Sequence, residues 1–453
     1  MGGGSLLYVE SSVSAAAGIS RLEVVFGGSA HPADLYSSPP DEHAERRYFW
    51  AAVPVAPSIA PGGHALRLRA RSLRGAVDLD VTENIEVASP VVHASAPEDT
   101  TATEPLVAIC LATHNPPPDL FERQIETIRA QSHERFVCLI SDDVSEPRAF
   151  ERIERAVGRD SRFIVSRAES RLGFYRNFER CLSLVPDVAS FVALCDQDDS
   201  WHPDKIATLA GELEAHDAML VFSDMNVVTA DGRLIGATYW LDRKNNFSEM
   251  GSLLLSNTVT GAASLFRREL LDDVLPFPPD VGQPYHDHWI ACVALALGQI
   301  AYVDRPLHDY VQHQENALGY SVPSDEFKGG VLHALGRLVA QPRRRLTNTA
   351  RHAGGTYRRD VVRLELFART LELRLGARIV RSRAKDVRRA ARIGSSPRSL
   401  AWLLGRSARD VRGRSATLGA ENQLVKAIAW RHWQAIRVCV RSAGSEALAL
   451  FRK

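Results

Sequence analysis

The chain has 453 residues, of which 45% are hydrophobic and 24% are charged, and its formal net charge is +1. This composition is typical of a soluble globular protein with two or three domains. No apolar run reaches the roughly 18 residues of a membrane-spanning helix, and the opening stretch MGGGSLLYVESS lacks the basic start of a signal peptide. We therefore expect a cytoplasmic protein. The six cysteines form no C-x-x-C pair, which indicates buried free thiols rather than disulfides or a zinc site.

Residues 1–92 contain short segments of alternating apolar and polar residues, such as RLEVVFGG, YFWAAVPV and HALRLRARS, separated by Gly, Pro and Ser. This pattern is typical of strands in a small β-sandwich, and we predict an accessory domain of that kind. Residues 93–105, HASAPEDTTATEP, are small and polar without apolar periodicity, which predicts a linker.

Strand and helix signals alternate from residue 106 to residue 323. LVAICLA, RFVCLIS, RFIVS and SFVALC are apolar runs typical of parallel strands buried on both faces, and a helix is predicted to begin at Pro118. We therefore predict an α/β domain with a doubly wound, mostly parallel sheet. Ligands bind beyond the carboxyl ends of the strands in such sheets. Three of these ends carry polar groups, namely Thr113-His114-Asn115, Asp142-Asp143 and Asp196-Gln197-Asp198-Asp199.

The last of these groups, which we call the acidic quartet (Asp196 to Asp199), directly follows the apolar run FVALC. Its three carboxylates repel one another unless a positive group lies among them. Mg²⁺ or Mn²⁺ fits this role, because hard carboxylate oxygens bind such cations and substrate phosphates usually complete their coordination. The alternative is a solvated acidic turn before a helix that begins near Pro203.

Two later segments add further polar groups. RLGFYRNFE offers Gly173 for close approach of the backbone to a ligand, and it offers Arg171, Arg176 and Asn177 as polar contacts. The segment HDHWIA places Asp287 between two histidines in front of an apolar helix. The histidines could instead bind zinc, although the H-E-x-x-H pattern is missing, and Asp287 could simply cap the helix.

Seven segments occur in the order found in family-2 glycosyltransferases with the GT-A fold, which the chain resembles over roughly residues 105–320. They are VAICLATHN, LISDDVS, RLGFYRNFE, LCDQDDSWHPDKI, TGAASLFRREL, HDHWIA and YVQHQEN. The bacterial rhamnosyltransferase-like branch is the most similar. The resemblance implies an inverting, metal-dependent hexosyl- or rhamnosyltransferase that uses a nucleoside-diphosphate sugar.

The resemblance also implies roles for individual residues. Asp287 would be the general base, and Asp196 and Asp198, as the D-x-D pair, would hold Mg²⁺ or Mn²⁺ together with His313. The expected donor contacts are Thr113, Asn115, Asp142, Asp143, Arg171, Gly173, Asn177 and Asp196. The expected sugar and acceptor contacts are Asp199, Trp201, His286, His288 and Trp289. Family members often have arginine before Gln-His, whereas this chain has Val311, so Arg171 or Arg176 would bind the phosphates instead.

Residues 324–453 are predicted to form a basic helical region. Residues 341–453 contain 27 Lys and Arg against 7 Asp and Glu, a balance of +20 that leaves −19 for the first 340 residues. Such asymmetry predicts an anionic partner surface. In LVKAIAWRHWQAIRVCVRS (424–442), apolar and basic residues recur at helical spacing, which is typical either of a helix on a lipid surface or of a core-packing helix with solvated arginines. Nucleic acid is not expected, since no nucleic-acid-binding motif is present.

Together these features predict transfer of a sugar, with rhamnose as the first choice, to a hydroxyl of a growing, lipid-linked cell-surface polysaccharide. The enzyme would lie at the inner face of the cell membrane as a peripheral protein. A galactofuranosyl or hexosyl transferase of the same fold, and a non-catalytic glycan-binding scaffold derived from it, are the alternatives.

Overall fold

The computed structural model of the chain describes residues 5–14, 19–37, 46–55, 59–72, 75–87, 104–240, 245–282, 284–313, 353–411, 417 and 419–434. The linker predicted at 93–105 lies outside the described residues except for its last two positions. The start of the basic region predicted from residue 324 also lies outside them. The predicted domain boundaries therefore stay predictions.

The described N-terminal residues form two antiparallel sheets, with strand orders β1-β5-β4 and β3-β2-β6-β7. The strands are β1 (Ser5–Ser14), β2 (Ile19–Phe26), β3 (Ser29–Pro32), β4 (Asp34–Ser37), β5 (Arg46–Val55), β6 (Gly62–Ser72) and β7 (Gly75–Val87). Phe49, Ala51 and Val53 of β5 face a core shared with β2 and β6. Trp50 and Ala52 point to the other face, as strand geometry requires, and pack into the main core of the protein.

The central sheet has the order β10-β9-β8-β11-β15-β13-β16-β12 among the described residues, with β14 paired to β13. Its strands are β8 (Val107–Thr113), β9 (Phe136–Asp142), β10 (Phe163–Arg167), β11 (Phe191–Cys195), β12 (Ser200–Trp201), β13 (Ala218–Thr229), β14 (Leu234–Gly236), β15 (Ser264–Arg267) and β16 (Gln299–Gln312). The four predicted apolar runs match β8, β9, β10 and β11 to within one residue, which confirms those predictions.

The sheet is mixed, but most of its strands run in one direction as predicted, since β13 and β16 in its second half also pair in parallel. Strands β10, β9, β8 and β11 are parallel to one another, but β15 runs antiparallel to both β11 and β13. Parallel strands need a crossover connection, which is usually a helix. The regular alternation of strand and helix stops after residue 215, where the chain enters β13 and then turns back through the short strand β14.

Helices cover both faces of the central sheet. Those up to residue 297 are α1 (Pro118–Arg129), α2 (Pro147–Val157), α3 (Phe174–Leu182), α4 (Lys205–Ala215), α5 (Met250–Leu255), α6 (Leu271–Val274) and α7 (His286–Leu297). Helix α1 begins at Pro118 as predicted. Alternate residues of β8 enter two cores, since Ala108 and Cys110 pack with α3 and α7, whereas Ile109 and Leu111 pack with α1 and α4.

The C-terminal helices belong to the same main core. They are α8 (Val362–Leu375), which follows residues 353–356 and a π-helical turn (Tyr357–Val361), α9 (Ala384–Ala390), α10 (Pro397–Val411) and α11 at residues 420–434. The Phe367 ring of α8 contacts Trp289 of α7, with ring centroids 5.5 Å apart. The C-terminal helices therefore cover apolar surface of the central α/β part.

Arginines of this region bind groups of the chain's own acidic part. Arg378 forms an ion pair with Asp273 at 2.8 Å, and Arg406 forms one with Glu249 at 2.6 Å. Arg431 forms an ion pair with Asp34 of the N-terminal sheets. Some of the anionic groups that these arginines were predicted to bind are thus carboxylates of the same chain.

Helix α11 packs its described turns into the core. Leu424, Ala427, Ile428 and Trp430 are buried, whereas Trp433 is 46% exposed. The sequence had suggested a face through Val425, Ile428, Ala429, Trp433, Ile436 and Val440, of which the last two lie outside the described residues. For the described turns the buried face is rotated toward Leu424 and Ala427, which favours the core-packing alternative over the lipid-facing one. Within the described part of the chain, no helix has the length and apolar character needed to cross a membrane.

Candidate active site

A cavity of about 610 Å³ opens at the carboxyl end of β8 and β11. This volume lies in the range of small-molecule sites. Nine of the predicted site residues line it, namely Thr113, Asp143, Arg171, Asn177, Asp196, Asp198, His286, Asp287 and His288. The predicted residues that do not line it are Asn115, Asp142, Gly173, Asp199, Trp201, Trp289 and His313.

The two carboxylates at the end of β9 have different surroundings. Asp142 is completely buried, and it accepts hydrogen bonds from the Ser145 N–H at 3.1 Å and from the Thr113 hydroxyl at 3.4 Å. Asp143 reaches the cavity, and its carboxylate accepts hydrogen bonds from the N–H groups of Leu172 (2.6 Å) and Gly173 (2.9 Å). The Asp142 side chain therefore holds the turn after β9, and Asp143 is the one of the pair that lines the cavity.

The segment before α3 forms one rim of the cavity. Gly173 has a φ of +80°, a conformation that favours glycine, and this lets its N–H point at Asp143. Arg171 lies 3.1 Å from the same carboxylate and keeps about half of its side chain exposed. Arg176, the other candidate for phosphate binding, instead pairs with Glu179 at 2.6 Å and lies outside the cavity wall.

Asn177 and Asn115 connect neighbouring strand ends. The Asn177 amide donates to the carbonyl groups of Ser141 (2.8 Å) and Thr113 (3.3 Å), so it ties β8 to β9 from within α3. Asn115, with a φ of +42°, accepts a hydrogen bond from the Glu146 N–H at 2.7 Å. Both side chains fix the backbone around the cavity, and only Asn177 lines it.

The acidic quartet turns two of its carboxylates toward the cavity and one away from it. Asp196 and Asp198 line the cavity, and Gln197 between them accepts a hydrogen bond from the His114 N–H at 2.9 Å. Burial, together with the negative charges of Asp198 and Asp287, raises the pKa of Asp196 to about 7. Asp199 is fully buried and accepts a hydrogen bond from the Val311 N–H at 3.3 Å. It therefore lies beneath the wall, where a sugar cannot touch it.

A lysine lies among these carboxylates inside the protein. Lys205, in the first turn of α4, is completely buried, and its ammonium group donates to the Ala262 carbonyl at 2.5 Å. The same group sits 4.0 Å from the ring centroid of Trp201. Burial lowers the pKa of Lys205 to about 7, while the thiol of Cys195 and the carboxylates of Asp199 and Asp196 act in the opposite direction. The chain thus places an amine that is about half protonated at neutral pH near the acidic quartet.

We expect a Lys205→Met substitution to lower the free energy of unfolding by about 3–5 kcal/mol, because it leaves buried carboxylates without their internal cation. Denaturant unfolding at pH 7 measures this change. Lys426→Met is the matched control, since Lys426 lies on an exposed position of α11, and it should change stability by about 0.5 kcal/mol or less. Equal stability of the two variants would show that Lys205 does not compensate the acidic quartet.

The proposed metal ligands do not form a complete set. His313 Nε2 lies 2.7 Å from a carboxylate oxygen of Asp198, but His313 is not on the cavity wall. Among the described residues, no group of three or more His, Cys, Asp and Glu side chains is arranged to hold a metal ion. The donor chemistry at Asp196 and Asp198 still fits a divalent cation, since two carboxylates face the cavity, and burial together with the charge of Asp198 raises the pKa of Asp196.

Asp287 lies in the first turn of α7 and lines the same cavity. Its carboxylate accepts hydrogen bonds from the backbone N–H of His288 (2.6 Å) and of Gly261 (3.2 Å). Gly261 has no room for a side chain, because a Cβ there would approach His286 Nε2 to 2.9 Å. Burial raises the pKa of Asp287 to about 6, and these backbone hydrogen bonds limit the rise. At neutral pH the carboxylate is therefore mostly ionised and basic.

The two histidines beside Asp287 are held as neutral rings. The His286 ring stacks on Phe178 with centroids 3.6 Å apart, and His288 Nε2 donates to the Leu253 carbonyl at 2.8 Å. Burial lowers the pKa of each histidine to about 3. They line the cavity as uncharged groups and are poorly suited to a zinc pair, since they point to different partners.

The two tryptophans predicted as sugar contacts lie in the core. Trp289 is fully buried, and its indole N–H donates to the Val274 carbonyl at 2.9 Å. Trp201 is also buried, in the core between the sheet and α4. A large aromatic ring at these positions fills apolar space beneath the cavity, and it is not available to a sugar.

Sequence reasoning missed two groups on the wall. Arg363 of α8 lines the cavity although it follows Asp287 by more than 70 residues in the sequence. Its place in a basic helix was the one sequence feature that pointed to a role. Tyr239 and Trp240 form an aromatic wall, and the Tyr239 N–H donates to Asp224 at 3.0 Å. Asp224 in the middle of β13 was the available signal, because a buried carboxylate there needs a partner.

Residues 108–275 match the sequence model of glycosyl transferase family 2. This segment is a family 2 glycosyltransferase domain. It contains the acidic quartet, the end of β9 and the rim before α3, whereas Asp287 and Arg363 lie beyond the matched residues. The resemblance to this family is thus confirmed, while nothing found supports the rhamnosyltransferase-like branch in particular.

Relatives are distant. An uncharacterised protein of Sinorhizobium fredii is 25% identical over 28% of this chain, and an uncharacterised glycosyltransferase of Methanocaldococcus jannaschii is 24% identical over 42% of it. The matches span 14% and 66% of the lengths of these two proteins. Among solved structures, residues 1–349 of S. aureus TarS in complex with UDP-GlcNAc align with a TM-score of 0.41 and 14% identity, covering 73% of this chain and 92% of that one.

Proposed function

We propose that the chain is an inverting, metal-dependent glycosyltransferase that moves a sugar from a nucleoside-diphosphate donor to a hydroxyl group of a glycan. The observation that carries this proposal is the pairing of two cavity-facing carboxylates, Asp196 and Asp198, with a third carboxylate, Asp287, across one cavity. Inverting transfer needs these two functions at once, since the diphosphate leaves from one side of the sugar while the acceptor hydroxyl attacks from the other.

Mg²⁺ or Mn²⁺ would be held by Asp196 and Asp198, and when bound it would supply Lewis-acid stabilisation of the departing diphosphate. His313 is placed to orient Asp198 through its 2.7 Å contact rather than to face the donor. Arg171 at the rim is the described arginine that could reach the phosphates from the donor side, because Arg176 is engaged with Glu179.

Donor binding beyond the phosphates would fall to the strand ends of β8 and β9. Asp143, with the backbone it fixes at Leu172 and Gly173, would contact the nucleoside, while Thr113 and Asn177 complete that wall. Asp142 and Asn115 would not touch the donor themselves, and would instead hold the loops that carry these contacts in place.

Asp287 would act as the general base. Its carboxylate is fixed by two backbone N–H groups and remains in contact with the cavity, so it can accept the proton of the attacking hydroxyl. His286 and His288 would shape the acceptor side as neutral groups. Tyr239 and Trp240 offer aromatic faces against which a sugar ring could pack.

The finer parts of the proposal concern substrate and place. A rhamnose-like donor is our first choice, a galactofuranosyl or hexosyl donor is the alternative, and a growing, lipid-linked cell-surface polysaccharide is the proposed acceptor. Basic residues of the C-terminal region would hold the enzyme at the inner face of the cell membrane, although several described arginines there already bind the chain's own carboxylates.

A donor panel tests the proposal against a non-catalytic scaffold. The full chain is heated with dTDP-rhamnose, UDP-galactofuranose, UDP-glucose or UDP-galactose, with and without Mn²⁺, and release of nucleoside diphosphate is measured in parallel. We expect at least one donor to raise Tm in a Mn²⁺-dependent way and to be hydrolysed slowly. A chain that binds none of these donors and releases no nucleotide would favour the scaffold alternative.

A further inference from the structure

A second cavity, of about 270 Å³, lies between α5, the start of α8 and α11. Its lining residues are Leu254, Leu255, Thr356, Asp360, Arg363, Leu364, Thr417, Ala420, Gln423 and Leu424. This volume is slightly smaller than that of a usual ligand site, which suits one small unit of a larger molecule. Only Leu254 and Leu255 of this lining fall within the family 2 match, since the other lining residues lie beyond residue 353.

The second cavity adjoins the first through two shared residues, Leu255 and Arg363. Arg363 stands between them, with its guanidinium 3.5 Å from the Asp360 carboxylate on the side of the second cavity. Asp287 and Arg363 both line the first cavity. A molecule bound at Asp287 therefore lies in a cavity that shares part of its wall, at Leu255 and Arg363, with the second cavity.

The wall of this cavity has two kinds of surface. Leu254, Leu364 and Leu424 give it an apolar side, while the hydroxyl of Thr356, the carboxylate of Asp360 and the amide of Gln423 give it hydrogen-bonding groups. A sugar ring has the same division, with C–H faces and hydroxyl edges. The charges of the two ionic lining residues, Asp360 and Arg363, offset each other, so this wall has no excess of either sign. This suits a neutral, hydroxyl-rich ligand better than a phosphate.

The walls are held in place from outside the cavity. Thr356, Asp360 and Arg363 follow one another at the i, i+4 and i+7 spacing of one helix face. The turn Tyr357–Val361 in this segment is π-helical, and such turns are common at functional sites. On the other wall, Arg406 clamps the start of α5 through Glu249 at 2.6 Å and α11 through Glu421 at 3.2 Å. A buried arginine with two carboxylate partners keeps α5 and α11 at a fixed distance.

We propose that the second cavity binds the sugar unit of the acceptor that is next to the unit carrying the attacking hydroxyl. This inference rests on the proposed glycosyl transfer. The donor occupies the side of Asp196 and Asp198, and the attacking hydroxyl must meet Asp287, so the rest of the acceptor extends away from the acidic quartet, past Arg363. The ligand class is therefore a neutral glycan of at least two units.

Binding of paired sugars to the full chain tests this inference. Saturation-transfer NMR and calorimetry compare maltose, cellobiose, lactose and rutinose with glucose, galactose and rhamnose. We expect at least one disaccharide to bind about tenfold more tightly than either of its component monosaccharides. Wild-type chain that binds no disaccharide more tightly than its components would overturn the proposal.

Two tryptophan substitutions on α11 locate the effect. Gln423→Trp puts an indole into the second cavity and should remove the tenfold preference, whereas Ala429→Trp puts it on an exposed position of the same helix and should keep the preference. Retention of the preference in Gln423→Trp would place the second sugar elsewhere and contradict the inference. Gln423→Ala, which removes only the amide, should give an intermediate loss if the variant with tryptophan is poorly folded.

Donor hydrolysis by the wild-type chain separates this inference from the function on which it rests. If nucleoside diphosphate is released but disaccharides are not preferred, the proposed transferase function is supported and the second subsite is refuted. A preference for disaccharides without donor hydrolysis would sustain a glycan site while contradicting the transferase.

Discussion

An Asp287→Asn variant is expected to transfer sugar about 10²-fold more slowly than the wild type, or slower still, while it binds the donor normally. Asparagine keeps the shape of the side chain and can accept the hydrogen bond of either His288 or Gly261 through its one oxygen, but it cannot take a proton. Donor contacts survive because they lie at β8, β9 and the acidic quartet. Steady-state transfer rates and donor affinity by calorimetry measure the two effects separately.

The pH dependence gives an independent check on Asp287. Burial raises its pKa to about 6, and the base must be ionised to work, so the wild-type rate should fall as the pH drops through that value. A bound cation would lower this pKa, which would move the fall to lower pH. The residual activity of Asp287→Asn should not show this fall at low pH.

Asp272→Asn is a matched control for Asp287→Asn. Asp272 lies in α6 and pairs with Arg268 with 69% of its side chain exposed, so its amide variant should transfer at the wild-type rate. If Asp287 only capped α7, asparagine would serve as well as aspartate, and the variant would also be unimpaired. A wild-type rate for Asp287→Asn would thus remove it from the mechanism.

An Asp198→Asn variant should lose detectable transfer and also lose the part of nucleotide binding that depends on Mn²⁺. A neutral amide cannot offset the charge of a divalent cation, and it also weakens the contact that His313 makes with the carboxylate. Titration of nucleoside diphosphate with and without Mn²⁺ measures the loss. Metal-independent binding should change little, because Asp143 and the backbone after β9 are untouched.

The same substitution at Asp204 provides the comparison. Asp204 follows the acidic quartet closely in sequence, but its side chain is 46% exposed and pairs with Arg305. Asp204→Asn should keep both Mn²⁺-dependent binding and activity. Full activity of Asp198→Asn at saturating Mn²⁺ would contradict the metal assignment.

The part of the fold that sequence could predict is the part with strong local signals. The apolar runs that became β8, β9, β10 and β11 are buried on both faces, and the proline at the start of α1 marks its first turn. The later strands were not predicted, because antiparallel pairing of β15 between β11 and β13 depends on contacts distant in sequence. Their short or bulged segments carry little periodic signal.

Within the candidate site, sequence located the segments but not the direction of each side chain. Adjacent residues of a strand point to opposite sides, so only one of Asp142 and Asp143 could face the cavity, and apolar periodicity did not say which. Trp201 and Trp289 were predicted as sugar contacts because they lie close to acidic residues in the sequence. Both rings are instead buried in the core, because burying a large apolar ring is more favourable than exposing it. Arg363 could not be found, since helix packing alone brings it to Asp287.

The buried ammonium of Lys205 bears on the order in which an active enzyme is assembled. In small zinc proteins the metal supplies the folding energy, and the metal-free chain is unfolded. Here an amine that is covalently part of the chain, and partly protonated at neutral pH, already lies near the carboxylates next to β11, fixed by the Ala262 carbonyl. Removing divalent ions with a chelator should therefore stop catalysis and leave a native protein that recovers at once when Mn²⁺ returns. The metal concentration in the cell would then determine the fraction of the enzyme that is active, without changing the amount of folded enzyme.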